Sequence, residues 1–218
     1  MNLRYKLLVF DVDGTLLDPL KGVTKSVRYA VKGLGLPEIP IETIKSFIGP
    51  PIRESLKNYY QLSDEDADSI TQIFRDQYKN KDIFDCQVYD GIFDLLEILT
   101  QKNYVLSVAT YKRHDYAVEL LEYLKIAPFF KYIHGSDNYE KTTKEDIIKS
   151  CIRDSKIVDL KDIVMIGDTN LDAISAQKIG IDFMGVIYGY GFKAKEDLNS
   201  FPHVGIAESA EQLIQLFE

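Results

Sequence analysis

Leu7-Leu8-Val9-Phe10-Asp11-Val12-Asp13-Gly14-Thr15-Leu16 is the stretch from which the rest of the chain can be read. An apolar run ends abruptly in Asp11, with a second carboxylate at Asp13 and Gly14 behind it. Residues two apart on an extended chain point to the same side, so Asp11 and Asp13 can meet over one small volume. At the exposed end of a buried strand their charges repel, and a divalent cation is the usual compensation. A carboxylate so placed can attack phosphorus to form an aspartyl phosphate while its neighbour carries the leaving group's proton. A calcium loop is excluded. It would open Asp-x-Asp-x-Asp-Gly and close on Glu at its twelfth position, but glycine arrives too early, at Gly14, and the twelfth position is Gly22. An Asp-rich turn that merely ends a strand is the plainer alternative.

At 218 residues the chain can form one large domain or two small ones, each with a good core. The formal net charge of -8, without clustered Lys and Arg, disfavours a nucleic-acid partner but leaves room for an anionic small molecule. Leu7 to Phe10 is the only apolar run near the amino terminus, too short for a signal peptide or a membrane span. Cys86 and Cys151 stand alone and form no metal spacing. Inert thiols in a reducing cytoplasm are therefore expected.

Short apolar runs recur at Leu7 to Phe10, Val105 to Ala109, Ile163 to Ile166 and Phe183 to Ile187, as buried parallel strands should. Helical faces lie between them. Ile92, Leu95, Leu96 and Leu99 form one, Ala117, Leu120, Leu121 and Leu124 another, and Ala173, Ile174, Ala176 and Ile179 a third, stopped by Gly180. The alternation predicts an α/β fold, a doubly wound parallel sheet whose ligand binds beyond the carboxyl ends of its strands. From Leu16 to Cys86 that rhythm breaks. No strand is evident there. A helix opens at the Ser63–Asp66 capping pair and another runs from about Ile52 to Tyr60 after Gly49-Pro50-Pro51, which reads as an inserted helical subdomain.

Three further strand ends carry polar groups. Thr110 and Tyr111 follow the second run, where a lone Thr is ordinarily a turn or cap residue. Asp168 follows Met165-Ile166-Gly167, and Asp172 lies one helical turn later on the same face, so a metal or a basic partner is expected between them. Alternatively Asp168 caps the helix and Asp172 favours its positive end. Thr143 with Asp146 marks a helix start that puts Lys144 in the first turn. A cation there opposes the helix dipole, and an anionic ligand would turn the penalty into a gain. Lys141 is the rival for that role.

Asp11-Val12-Asp13-Gly14-Thr15, the strand into Thr110, Lys144, and Gly167-Asp168-Thr169-Asn170-Leu171-Asp172 follow in order, and over nearly its whole length the chain resembles the haloacid dehalogenase superfamily. Phe47-Ile48-Gly49-Pro50-Pro51-Ile52-Arg53-Glu54-Ser55-Leu56 and Tyr188-Gly189-Tyr190-Gly191-Phe192 are similar to segments of phosphoglycolate phosphatase-like members. The chain departs from many of them where Lys-Pro-x-Pro is replaced by Lys141-Thr142-Thr143-Lys144-Glu145-Asp146, and a Lys-x-x-x-Ile pattern favours Lys144. The resemblance implies a catalytic core of residues 1–15 and 87–218 and a helical cap of residues 16–86. It implies Asp11 as nucleophile and Asp13 as general acid, then base. Magnesium (Mg2+) would bind the Asp11 carboxylate, the Asp13 carbonyl and Asp168, with Asp172 close behind, and Thr110 and Lys144 would hold the phosphoryl group. Asp13 points to phosphate esters, because an alcohol leaving group needs a proton and a halide does not. Arg53 is the candidate for a substrate carboxylate or second phosphate. Phosphoglycolate is the first substrate expected and a nucleoside 5'-monophosphate the second. A phosphomutase needs the same residues, and a phosphate-sensing scaffold would have lost Asp11 or Asp13, yet both are present.

Overall fold

The side chains of the first strand alternate between two cores, and that alternation sets the architecture. The computed structural model describes residues 5–137 and 141–217. The chain runs β1 (Leu7–Phe10), β2 (Leu17–Asp18), α1 (Leu20–Gly33), α2 (Ile41–Lys45), α3 (Ile52–Tyr60), α4 (Asp64–Gln77), β3 (Gln87–Val88), α5 (Ile92–Gln101), β4 (Val105–Arg113), α6 (His114–Tyr123), β5 (Tyr132–Ser136), α7 (Lys144–Ser155), β6 (Ile163–Gly167), α8 (Asn170–Ile179), β7 (Asp182–Val186), β8 (Gly205–Ala207) and α9 (Ala210–Phe217). Leu7 and Val9 join Ile147, Ile148, Cys151, Ala173 and Ala176 of α7 and α8 on one face. Leu8 and Phe10 join Leu95, Leu96, Leu120, Leu121, Leu213 and Phe217 of α5, α6 and α9 on the other. Both faces of the sheet are thus covered, as a parallel sheet requires.

Six strands lie in the order β5-β4-β1-β6-β7-β8, with every pairing parallel. The chain moves from β1 to β4 and β5 on one side, then crosses back to β6 on the other. The carboxyl ends of β1, β4 and β6 therefore flank the point where strand order reverses, the usual ligand crevice of such sheets.

The expected strands are present with small shifts. The second continues four residues past Ala109, to Arg113. The edge strands β5 and β8 were not legible, because a five-residue run with His134 and Gly135 and a three-residue run carry little periodicity. The strand-free stretch from Leu16 to Cys86 needs a correction: Leu17–Asp18 is a short strand, paired antiparallel with Gln87–Val88. Two residues are too few to show a period, and the pair draws together the chain entering and leaving the helical insertion. Between them α1 to α4 pack on one another. Ser63 Oγ accepts from the Asp66 N–H at 3.1 Å at the start of α4, whose Ala67, Ile70 and Phe74 are buried. Among the described residues, no helix is long and apolar enough to cross a membrane.

Candidate active site

Asp11 follows β1 directly, and its N–H donates to the Ile166 carbonyl at 2.9 Å, so the strand ladder itself fixes where it sits. Gly14 turns the chain with φ +86°, and a Cβ at that position would overlap the Asp168 carboxylate. Only glycine permits both the turn and that approach. Asp168 lies beyond β6, where Oδ2 accepts the backbone N–H groups of Tyr190 at 2.7 Å and Gly191 at 3.0 Å. The late glycine-aromatic loop is therefore the support of Asp168. Thr169, not Asp168, caps α8, and Asp172 Oδ2 reaches back to the Thr169 N–H at 3.1 Å and its hydroxyl at 2.7 Å. The reading of Asp168 as the helix cap is thereby corrected. The Thr169 hydroxyl does that work, and the Asp168 carboxylate stands with those of Asp11 and Asp172.

Asp11, Asp168 and Asp172 are buried, and one oxygen of each lies within 4.8 Å of the others. Lys144 stands at the head of α7, where Thr143 and Asp146 form the expected capping box. Its Nζ is 2.7 Å from Asp11 Oδ1 and 2.8 Å from Asp172 Oδ1. The basic partner expected near Asp172 is Lys144, and the anions that offset its place at a helix start are these carboxylates. Lys141 instead donates its backbone N–H to Asp137 at 3.1 Å, in the loop before the helix.

Burial and the two neighbouring carboxylates push Asp11 up to about 7 against the pull of Lys144. Burial and Asp172 push Asp168 up to about 6, against the backbone N–H groups of Gly191 and Tyr190. Burial opposes the charge on Lys144, but Asp11 and Asp172 outweigh it and hold the ammonium above its ordinary range. Three carboxylates with one ammonium among them leave excess negative charge in a buried volume. The all-oxygen donor set fits a small hard divalent cation.

The Asp13 carboxylate stands outside this cluster, 3.0 Å from Lys112 Nζ. The Asp13 carboxylate is not among the carboxylates that could share a cation with Asp11. Thr110 is buried, lies within β4 and not in a turn after it, and its Oγ1 accepts the Lys112 N–H at 3.1 Å. Beside Asp13 opens a cavity between sheet and insertion, lined by Phe47, Phe74, Tyr78, Lys112 and Tyr116 among others.

The structure does not bring Arg53 to this cavity. On α3 its guanidinium meets Glu54 at 2.8 Å, Asp64 at 2.9 Å and Asp68 at 2.6 Å, so its charge is spent on the surface of the insertion. Sequence reasoning missed Lys112, buried with its Nζ donating to the Tyr78 hydroxyl at 2.9 Å. No period in the sequence marks it, because the irregular pairing after Thr110 breaks the alternation of the strand.

A model of the haloacid dehalogenase-like hydrolase family matches residues 8–186. A 5'-nucleotidase of Pseudomonas aeruginosa is 32% identical over 217 residues, covering 99% of this chain and 97% of its own. A phosphoglycolate phosphatase of Vibrio parahaemolyticus is 25% identical over 219 residues, covering 97% of this chain and 95% of its own. The crystal structure of "a predicted phosphatase" from Clostridium acetobutylicum, 35% identical, superposes with a TM-score of 0.91 over 97% of either chain. A family match over most of the chain, with the buried aspartates at the strand ends where the fold puts its ligands, settles the affiliation. The chain belongs to the haloacid dehalogenase-like hydrolase family.

Proposed function

We propose that the protein is a magnesium-dependent phosphatase that hydrolyses a small phosphorylated metabolite through an aspartyl phosphate on Asp11. The observation that carries this is the buried group of Asp11, Asp168 and Asp172 with Lys144 Nζ 2.7 Å from Asp11. Asp11, Asp168 and Asp172, with the Asp13 carbonyl, would hold the cation, which when bound supplies positive charge against the phosphoryl oxygens. In the first step an Asp11 oxygen attacks phosphorus. The bond from phosphorus to the ester oxygen breaks, and Asp13 gives that oxygen its proton as the alcohol leaves. In the second step Asp13, now a carboxylate, takes a proton from water. The water oxygen attacks phosphorus and the bond to Asp11 breaks, freeing inorganic phosphate and restoring both aspartates. Lys144 and Thr110 steady the phosphoryl group, whose loose transition state is served by position and charge.

The insertion, residues 16–86, acts as a cap over the leaving group. Phosphoglycolate is one substrate reading. The aromatic walls offered by Phe47, Phe74, Tyr78 and Tyr116 favour a second, a nucleoside 5'-monophosphate whose base they would contact. The relative named 5'-nucleotidase points the same way. Both free thiols accord with a cytoplasmic place of action.

Turnover of phosphoglycolate and of a nucleoside 5'-monophosphate, each with magnesium and with excess chelator, tests the proposal. Activity should require the metal, and calcium, with its larger and looser shell, should not replace it. Hydrolysis of neither class overturns the phosphatase reading, and full activity in chelator overturns the role of magnesium.

A further inference from the structure

We infer that Lys112 is a positioning residue for the Asp13 carboxyl, aimed into the cavity by a bulge in β4 and tied to the helical insertion through Tyr78. This rests on the phosphatase reading, in which Asp13 moves the proton.

The pairing of β4 with β5 is regular as far as Thr110 opposite Gly135, then resumes at Arg113 opposite Ser136, leaving Tyr111 and Lys112 unopposed. A bulge bends its strand and re-aims the side chains it carries. This one requires glycine across from it, since a Cβ on Gly135 would run into the Lys112 carbonyl and the His114 Cα. The Lys112 side chain is only 5% exposed, so its ammonium has been placed and does not sweep solvent. Nζ lies 3.0 Å from Asp13 Oδ2 and donates to the Tyr78 hydroxyl at 2.9 Å, 4.9 Å from the centre of that ring.

The two oxygens of Asp13 thereby become unlike. Oδ2 is engaged by Lys112, whereas Oδ1 is buried and has no hydrogen-bond partner among the described residues. A carboxyl gripped by one oxygen presents the other, and that free oxygen is the one to exchange a proton with the ester oxygen. Tyr78, which holds the far side of Nζ, follows α4 and stacks on Phe74 with ring centres 5.5 Å apart and planes 11° from parallel. The tether of Lys112 therefore moves with the insertion, and its grip on Asp13 depends on the insertion being seated over the core.

The test is kcat/KM across phenyl phosphates of similar size whose phenols differ in acidity, measured in magnesium for wild type, Lys112→Met, Tyr78→Phe and Asp13→Asn. This ratio reports the steps through departure of the phenol, so the later water step does not enter. An acidic p-nitrophenol leaves without a proton, while unsubstituted phenol gains from one. Lys112→Met should lose roughly tenfold or more on phenyl phosphate and less than about threefold on p-nitrophenyl phosphate, because misplacing a proton donor forfeits part of its 10²–10⁴-fold contribution. Tyr78→Phe keeps the ring and both charges, so it guards against misfolding; it should show a smaller loss of the same slope. Asp13→Asn sets the steepest slope. An equal loss across the series would make Lys112 a phosphate contact or a structural residue, and no loss would remove its role; either overturns the inference while the phosphatase reading stands. A wild type inactive on every ester overturns both.

Discussion

Lys144→Met should cost stability in the metal-free protein and give back much of that cost when magnesium is added. The substitution keeps most of the side-chain stem and removes one ammonium from between Asp11 and Asp172, at 2.7 and 2.8 Å. Asp11, Asp172 and Lys144 are each no more than 4% exposed at the side chain, so water does little to screen what is left. Breaking a buried pair by removing one partner costs about 3–5 kcal/mol, because the remaining charge is uncompensated. At 2–4 °C per kcal/mol for a chain of this size, the Tm in chelator should fall by roughly 6–20 °C. The bound cation then answers three buried carboxylates without a competing ammonium, so the variant should gain more Tm than wild type at the same magnesium concentration. At a hundred times its Kd the metal stabilises by about 2.7 kcal/mol, within reach of a thermal melt. Turnover should nevertheless stay low with magnesium, since the proposed mechanism needs that charge to steady the phosphoryl group. A variant as stable as wild type in chelator, or one that gains less from magnesium, would refute the electrostatic reasoning.

Three further outcomes are expected. Lys141→Ala should leave most of the turnover intact, because Lys144 and not Lys141 meets Asp11; a loss as deep as that of Lys144→Met would contradict this. Arg53→Ala should shift stability by about 1 kcal/mol or less, as surface ion pairs do, and leave selection between anionic and neutral esters unchanged. A tenfold selective loss in kcat/KM would return Arg53 to the substrate site. Gly14→Ala must hold φ +86° with a Cβ directed at the Asp168 carboxylate. The conformation alone costs roughly 1–2 kcal/mol, and calorimetry should show magnesium bound at least tenfold more weakly. Unchanged affinity would detach Asp168 from the metal.

Much of this molecule is legible in its sequence because buried parallel strands announce themselves as apolar runs and their polar ends fall at one edge of the sheet. Asp11 and Asp168 are legible in that way, each just beyond a run, Asp172 from its place one helical turn after Asp168, and Lys144 from the Thr143–Asp146 capping pattern. What stayed hidden was set by contacts between segments distant in sequence. Arg53 looked like the cationic contact of the insertion until α4 brought Asp64 and Asp68 alongside it. Lys112 stayed unmarked, because neither the bulge at Tyr111–Lys112 nor the proximity of Tyr78 has a local signature. The pairing of Leu17–Asp18 with Gln87–Val88 joins residues some seventy positions apart and is too short to carry a period.

The most direct test of the central claim is to mix enzyme, magnesium and an excess of a turned-over phosphate ester, quench in acid within the first turnovers, and map phosphate on the digested protein by mass spectrometry. A nucleophilic Asp11 should place an acid-stable, hydroxylamine-labile phosphoryl group on the peptide containing Asp11, and Asp11→Asn should abolish both the label and the turnover while remaining folded. Turnover without any label on that peptide, a label on another residue, or Asp11→Asn activity within tenfold of wild type would show that the phosphoryl group does not pass through Asp11.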